Sequence, residues 1–253
     1  MSLATLYPIA LILIVALGAL SFPALLFIPA PYGRHAQVHK GIHLDTKLAW
    51  LLMEAPAPIV FVIVFSLGPH ATRPVPLFLL ALWLTHYVYR SFVFPFRMRS
   101  SDKNQPLMTF LLAVAFNTAN GFVNAYAISH TSTHLANATL GDPRLLAGTL
   151  LFFAGYAINH RSDATLRHLR KPGDTGYKIP HGGLYRWVSC PNYLGELIEW
   201  AGFALAAWTL PALVFVLFTA SNLVPRAVAH HRWYREKFPD YPSERKAIFP
   251  YVL

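Results

Sequence analysis

The chain has few charged residues, few acidic residues in particular, and almost no cysteine. Only 13% of its 253 residues are charged and 55% are hydrophobic, whereas ordinary soluble domains are roughly a quarter charged. This composition argues against a disordered chain and against a typical soluble enzyme. The 11 acidic residues are outnumbered by 21 Lys and Arg, which gives a formal net charge of +10. The single cysteine, Cys190, excludes an internal disulfide framework and an all-cysteine metal site.

Common nucleotide and metal motifs are also missing. The sequence contains no GxGxxG after a strand, no GxxxxGK followed by Ser or Thr, and no HExxH, which argues against a Rossmann or P-loop site. His130 and His134 are four residues apart, and we interpret them as ordinary polar loop histidines. The pair His230 and His231 could bind a metal, but its polar neighbours favour a phosphate partner. No metal site is therefore predicted.

Seven apolar runs predict membrane-spanning helices, since about 20 residues cross a bilayer. By hydropathy alone, the last three runs are shorter than this length. The first has no basic residue before it and no small-residue cleavage pattern, so we interpret it as a span rather than a signal peptide. The runs are Leu3–Pro29, Leu48–Leu67, Pro76–Phe94, Leu107–Ser129, Leu145–Asn159, Tyr193–Thr209 and Pro211–Pro225.

The basic residues follow the predicted spans. Of the 21, 18 fall in the first, third and fifth loops and the C-terminal tail, and only Arg90 lies inside a span. Because cytoplasmic loops carry an excess of Lys and Arg, this predicts an outside N-terminus and a cytoplasmic C-terminus. The expectation is an all-α integral membrane protein with seven spans and one domain over residues 1–253. Membrane topology thus explains the charge without a nucleic acid partner.

Ionisable residues inside spans are costly and by default indicate function. Glu54 lies in the second span, just before Pro56 and Pro58, which cannot donate backbone hydrogen bonds and so predict a distorted helix. Tyr87 and Arg90 lie three residues apart in the third span. Two simpler interpretations stay open, in which Glu54 is only a structural partner of Arg90 and Tyr87 only an interfacial aromatic.

Three asparagines, Asn117, Asn120 and Asn124, follow one another at roughly helical spacing in the fourth span. Such residues either form hydrogen bonds between helices or line a polar cavity. The sequence leaves both alternatives open.

Three helix ends predict polar stripes on the cytoplasmic side, because residues three or four apart share a helix face. A glycine-containing loop at 171–183 connects two of them. Arginines suit phosphates, whereas acids and amides suit ribose hydroxyls, so we predict a pocket for a large, anionic, polyhydroxylated ligand such as a nucleotide. The stripes are Asn159 with Asp163, then Asn192, Glu196 and Glu199 flanked by Trp200, and finally Arg226, His230 and Tyr234.

Several longer motifs occur together. In the C-terminal half they are Asn-His-Arg-Ser-Asp (159–163), Leu-Arg-Lys-Pro-Gly (169–173), Tyr-Lys-Ile-Pro-His-Gly-Gly-Leu (177–184), Pro-Asn-Tyr-Leu-Gly-Glu-Leu-Ile-Glu-Trp (191–200), and His-His-Arg-Trp-Tyr followed by Phe-Pro-Asp-Tyr-Pro (230–242). In the N-terminal half they are Met-Glu (53–54), His-Tyr-Val-Tyr-Arg (86–90) and Ala-Asn-Gly (119–121). Over close to its whole length the chain resembles the membrane steroid 5α-reductases.

This resemblance implies a seven-helix membrane enzyme that uses NADPH to reduce the 4,5 double bond of 3-oxo-4-ene steroids. It implies a steroid-binding half at 1–129 and an NADPH-binding half at 145–253, in a multi-pass protein of a bacterial inner membrane or the endoplasmic reticulum. The expected partners are membrane lipids and a steroid that enters from the bilayer, and the expected state is a monomer.

Family roles carry over where the motifs match. Glu54 and Tyr87 would hold the steroid 3-keto oxygen, and Arg90 would reach the cofactor or pair with Glu54. Two departures, Met53 in place of a familiar Gln and Phe94 in place of a familiar Tyr, bear on steroid preference. The residues that would form the NADPH site are Arg90, Asn159, Asp163, Arg170, Lys171, Tyr177, Asn192, Glu196, Trp200, Arg226, His230 and Tyr234.

Other functions share part of the pattern. A related sterol or enoyl reductase fits, as does a methyltransferase of the isoprenylcysteine type using S-adenosylmethionine, but the latter needs no paired oxygen donors at Glu54 and Tyr87. A transporter or receptor also has spans with polar midplane residues, yet three nucleotide-like stripes at one face argue against it.

Overall fold

Helices dominate the computed structural model, which describes residues 1–28, 43–98, 105–169 and 176–253. Helix accounts for 77% of the structure, and within the described ranges five helical segments are long and apolar enough to cross a membrane. These segments overlap the first four predicted spans and the seventh, which confirms the all-helical fold and fits a multi-pass membrane protein. They are Leu3–Phe27, Thr46–Ser66, Pro74–Arg97, Leu107–Thr131 and Leu210–Lys237.

The second segment is interrupted next to Glu54, as its prolines predict. Helix α2 (Thr46–Glu54) follows α1 (Leu3–Phe27), and α3 (Pro56–Ser66) begins directly after Ala55. Proline is well tolerated at the first position of a helix because its missing N–H is not needed there. Glu54 consequently ends α2 at a break in the helical hydrogen-bond ladder.

The remaining elements follow in chain order. A two-residue antiparallel pair joins β1 (His43–Leu44) to β2 (Gln105–Pro106). Two π-helical turns, Tyr89–Val93 and Ala127–Thr131, extend α4 and α6, respectively. The other helices are α4 (Pro74–Val88), α5 (Phe94–Arg97), α6 (Leu107–Tyr126), α7 (Thr133–Asn137), α8 (Pro143–His168), α9 (Pro191–Ala207) and α10 (Leu210–Lys237), with a 3-10 turn at Gly183–Arg186.

Helices α8 and α9 occupy the predicted fifth and sixth spans. α8 runs for 26 residues and continues into a charged end, whereas α9 has only 17 residues. Neither is among the described helices that satisfy length and composition for a membrane crossing. Seven crossings and the orientation of the termini therefore stay predictions.

Glycines bring α8 and α9 into backbone contact. A Cβ on Gly195 would lie 2.5 Å from the Asn159 nitrogen, and one on Gly148 would lie 2.5 Å from the Gly202 oxygen. Such distances leave no room for a side chain, so only glycine permits this approach. The tight crossing places Asn159 of α8 beside the first turn of α9, where its Nδ2 donates to the Asn192 carbonyl at 3.0 Å.

An aromatic core lies beside this helix pair. Trp83 is fully buried, and its ring centroid lies 4.6 Å from that of Phe61 and 5.5 Å from that of Trp200. Its indole nitrogen donates to the Ala57 carbonyl at 3.2 Å. A Cβ on Gly121 would lie 2.7 Å from the same carbonyl, so α6 is held close to α3 and its polar residues are fixed in register.

Candidate active site

A cavity of about 340 Å³ lies between α2, α4, α6 and the α8–α9–α10 end of the fold. Ligand sites commonly measure about 300–1,000 Å³. The α8–α9 wall is almost entirely polar, whereas much of the α6–α10 wall is apolar. The polar wall consists of Asn159, Asp163, Asn192, Tyr193 and Glu196, together with Trp200, and the apolar lining of the other wall includes Ala113, Phe116, Phe215, Phe218 and Leu223.

Most of the residues predicted from sequence meet in this cavity. Tyr177, His230 and Tyr234 do not line it, and Arg170 and Lys171 lie outside the described residues. The predicted residues that line the cavity are Glu54, Tyr87, Arg90, Asn159, Asp163, Asn192, Glu196, Trp200 and Arg226.

The side chains of Glu54 and Tyr87 both contact asparagines of α6. Asn117 donates through Nδ2 to the Met53 carbonyl at 2.7 Å and to Glu54 Oε2 at 3.4 Å. Asn120 donates through Nδ2 to the Tyr87 hydroxyl oxygen at 3.5 Å. Asn117 and Asn120 thus bond between helices, and Asn117 also lines the cavity, so both alternatives for these residues are found in the structure.

Arg90 lies next to Glu54 under two aromatic rings. Its Nε is 3.9 Å from Glu54 Oε1. Its guanidinium carbon lies 4.5 Å from the Trp50 ring centroid and 4.7 Å from that of Phe94. The contact between Glu54 and Arg90, one of the alternatives left open by the sequence, is thus present at long range, and Phe94 covers the cation that faces the cavity.

The polar wall is linked by hydrogen bonds across α8 and α9. The side chain of Asn192 donates through Nδ2 to Asp163 Oδ1 at 3.1 Å, and the Asn192 carbonyl accepts from Asn159 at 3.0 Å. This leaves an acid and two amides in fixed positions. Such a donor and acceptor set can bind hydroxyls and amides of a polar ligand.

Tyr193 joins the cavity to the third polar stripe, a role that the sequence reasoning missed. Arg226 Nη2 donates to the Tyr193 hydroxyl at 3.2 Å, and His230 Nε2 lies 3.2 Å from the same oxygen. His230 is therefore one residue removed from the cavity. The sequence could have indicated this role, because Tyr193 directly follows Asn192 in the motif at 191–200.

Tyr177 and Tyr234, which were also predicted for the site but do not line the cavity, lie in aromatic contacts away from it. Tyr234 is buried and stacks on Tyr241 with ring centroids 5.2 Å apart. Tyr177 meets Trp233 edge to face at 4.8 Å. The stripe of Arg226, His230 and Tyr234 is thus divided, and only its first member lines the cavity.

The pairing of two buried ionisable groups, His86 and Glu199, was also missed. His86 lines the cavity, and its Nδ1 lies 2.8 Å from Oε1 of Glu199, which is fully buried. The His86 ring is 4.5 Å from that of Trp200. Glu199 was expected beside Glu196 on the polar face. The structure instead turns it toward α4, where it holds the imidazole at the cavity lining.

The fold combines helices long and apolar enough to cross a membrane with a cavity that has one polar and one apolar wall. The family model for 3-oxo-5-alpha-steroid 4-dehydrogenase matches residues 103–253. The chain belongs to this family, whose members are oxidoreductases that act on a CH–CH bond and use a nicotinamide cofactor.

Curated relatives extend the match over nearly the whole chain. The chain is 46% identical to rat 3-oxo-5-alpha-steroid 4-dehydrogenase 1 over 88% of its own length and 86% of the relative's. It is 40% identical to the human protein of the same name, with the same two coverages. It is 38% identical to steroid 5-alpha-reductase DET2 of Gossypium hirsutum, with 98% of both chains covered. The family favours a reductase over the methyltransferase, transporter and receptor alternatives.

Proposed function

We propose that this protein uses NADPH to reduce the 4,5 double bond of 3-oxo-4-ene steroids to 5α-3-oxosteroids. The observation that carries the proposal is the position of Glu54 and Tyr87, which line one cavity between a polar wall and an apolar wall. A flat apolar substrate fits the α6–α10 side, and a polar dinucleotide fits the α8–α9 side.

The two oxygen donors explain the chemistry. Adding hydride to C5 of the enone moves negative charge onto the 3-keto oxygen, and donors aimed at such an oxygen lower the barrier. The Tyr87 hydroxyl can donate to it. Glu54 can do the same as a neutral acid, a form favoured in an apolar segment. Glu54 and Tyr87 thus hold and polarise the ketone, and a proton must then reach C4.

The cofactor is supported by the chemistry of the polar wall. When bound, NADPH supplies the hydride. The polar wall offers amides and carboxylates to the hydroxyl and amide groups of the dinucleotide, from Asn159, Asp163, Asn192 and Glu196. Arg226 offers a guanidinium to a phosphate. Trp200 and Arg90 complete the side of the site that faces the steroid. The proposed NADPH site also includes, directly or through neighbours such as Tyr193, the remaining residues implied by the resemblance, which are Arg170, Lys171, Tyr177, His230 and Tyr234.

Access from the bilayer is supported by a second cavity of about 380 Å³ between α1 and α10. Its lining is almost wholly apolar and includes Val15, Gly18 and Phe22. Phe218 lines both this cavity and the active-site cavity. A steroid dissolved in lipid could therefore reach the site along Phe218.

The proposed topology has seven crossings, with α8 and α9 spanning as a pair, the N-terminus outside and the C-terminus in the cytoplasm. The distribution of basic residues supports this orientation. The protein would act as a monomer in a bacterial inner membrane or the endoplasmic reticulum, with steroid and membrane lipids as its partners and no nucleic acid.

The test is turnover by purified protein with NADPH and a panel of 3-oxo-4-ene steroids, followed by product mass and stereochemistry. We expect a gain of two hydrogens and the 5α configuration. Glu54→Ala and Tyr87→Phe should each lower kcat by about 10²–10³-fold, as loss of an oxyanion donor does, while the Kd for NADPH is unchanged. Tyr89→Phe, two residues away and outside the cavity lining, is the matched control. Absence of reduced product, or equal loss of NADPH binding in both variants, would contradict the proposal.

A further inference from the structure

Behind Tyr87 lies a buried row of amides on α6. Asn120 and Asn124 are both fully buried, and Tyr87 is 3% exposed. Side chains of this kind inside a membrane-spanning helix are expensive unless their polar groups are used. We infer that Asn120 is a positioning residue that fixes the polarity of the Tyr87 hydroxyl, so that its proton is offered to the ligand. The inference rests on the proposed function.

The orientation of the two amides follows from one backbone atom. The backbone carbonyl oxygen of Asn120 can only accept a hydrogen bond, and it lies 3.1 Å from Nδ2 of Asn124. The donor end of the Asn124 amide must therefore point to this oxygen. The same Nδ2 lies 2.9 Å from Oδ1 of Asn120. The acceptor end of the Asn120 amide therefore faces Asn124, and its donor end faces the other way.

The donor end of Asn120 faces Tyr87. Its Nδ2 lies 3.5 Å from the hydroxyl oxygen, and an amide N–H can only donate. The hydroxyl oxygen is thus the acceptor in this contact. Its own proton has no acceptor within the described part of the chain, and Tyr87 lines the cavity. The proton is consequently available to an oxygen of a bound ligand.

The opposite polarity would work against the chemistry. If the side-chain oxygen Oδ1 of Asn120 faced Tyr87, the phenol would donate its proton to that oxygen. The phenol would then present only lone pairs to the 3-keto oxygen. Two features hold the observed arrangement. Asn124 sets the amide, and the close approach of Gly121 to the Ala57 carbonyl sets the register of α6. Keeping Asn124 in this role leaves its own Oδ1 buried without a hydrogen-bond partner in the described structure, a cost that simple packing does not explain.

A double-mutant cycle tests the inference. Asn120→Leu removes the donor at similar volume and should lower kcat by about ten-fold, the effect of one lost neutral hydrogen bond, with the Kd for NADPH unchanged. In the Tyr87→Phe background the same substitution should cause no further loss, because the hydroxyl that it orients is gone. Asn124→Leu, which frees the Asn120 amide to turn over, should show a smaller loss that also disappears in that background. It provides the same test if Asn120→Leu fails to fold.

The outcomes separate the two claims. Equal fold losses in both backgrounds, or no loss from Asn120→Leu in the wild-type background, overturn the role of Asn120 and leave the proposed function standing. If Tyr87→Phe alone retains full turnover, the proposed function fails and the inference fails with it.

Discussion

Gly155 of α8 lies directly against the backbone of Glu199 of α9, so closely that a Cβ at position 155 would overlap the Glu199 amide nitrogen. The neighbouring glycine contacts continue this approach toward Asn159. Because Asn159 donates a hydrogen bond to the Asn192 carbonyl across the same crossing, the distance between the two helix backbones also sets the shape of the polar wall.

Gly155→Ala should therefore impair both stability and cofactor binding. The added methyl meets backbone rather than a flexible side chain, so the helices must separate. Overpacking of this kind costs about 1–3 kcal/mol. We expect a lower midpoint of thermal unfolding in detergent and a weaker Kd for NADPH.

Gly176→Ala is the matched control for this substitution, since among the described residues nothing lies within 4 Å of a Cβ there. If Gly155→Ala unfolds at the same temperature as Gly176→Ala, the close crossing of α8 and α9 is not needed for stability.

Glu199 should matter for stability through His86. Glu199→Leu keeps a side chain of similar size but leaves the buried imidazole of His86 without its partner at 2.8 Å. An unsatisfied buried polar group costs about 1–3 kcal/mol of folding stability. Glu199→Gln retains an oxygen at the contact and should unfold near the wild type. Chemical or thermal unfolding of the three proteins measures this difference, with the exposed Glu236→Leu as control. Equal destabilisation by Leu and Gln at position 199 would show that the hydrogen bond to His86 is not the cause.

Periodicity predicted the helices and their polar faces, but it could not predict which helix each face meets. Glu196 and Glu199 are three residues apart, which leaves them about 60° apart around α9. That angle is enough for Glu196 to line the cavity while Glu199 turns to His86, 113 positions away in the chain. Only the packing of α4 against α9 determines this pairing.

Distance along a helix sets a second limit. Arg226 and Tyr234 share a stripe, yet eight residues extend about 12 Å along the axis. Arg226 lines the cavity, whereas Tyr234 lies beyond it against Tyr241. By contrast, the break beside Glu54 was predictable, because proline chemistry is local and needs no partner.

Removing the Tyr193 hydroxyl should weaken cofactor binding more than catalysis. Tyr193→Phe keeps the ring, whose centroid lies 5.3 Å from the Arg226 guanidinium carbon, but loses the oxygen that accepts from Arg226 and contacts His230. We expect the KM for NADPH to rise by about ten-fold, the effect of one to two lost hydrogen bonds, with kcat nearly unchanged. A fall in kcat with an unchanged KM would instead assign Tyr193 to the chemical step.

The start of α8 should show a pH-dependent stability that is independent of the active site. Asp142 caps this helix by accepting from the Arg144 backbone N–H at 2.8 Å, and its carboxylate pairs with Arg144 Nη2 at 3.1 Å. The hydrogen bonds from Arg144 hold the pKa of Asp142 below its usual range. Because the pKa is lowered in the folded state, this contribution is full above the ordinary pKa of an aspartate and is lost as the pH falls through the lowered value.

Asp142→Ala should consequently lower the unfolding temperature at neutral pH, and the gap to the wild type should narrow as the pH falls through the lowered pKa of Asp142. Asp142→Asn retains a good helix-capping side chain but not the ion pair. Its unfolding temperature at neutral pH should therefore lie between those of the wild type and Asp142→Ala. The difference between Asp142→Asn and Asp142→Ala should change little with pH. Thermal unfolding of the three proteins across an acid pH series measures this. Since Asp142 is remote from the cavity lining, NADPH affinity at neutral pH should be the same in all three. A gap that widens toward acid pH would mean that the carboxylate destabilises α8 instead of capping it.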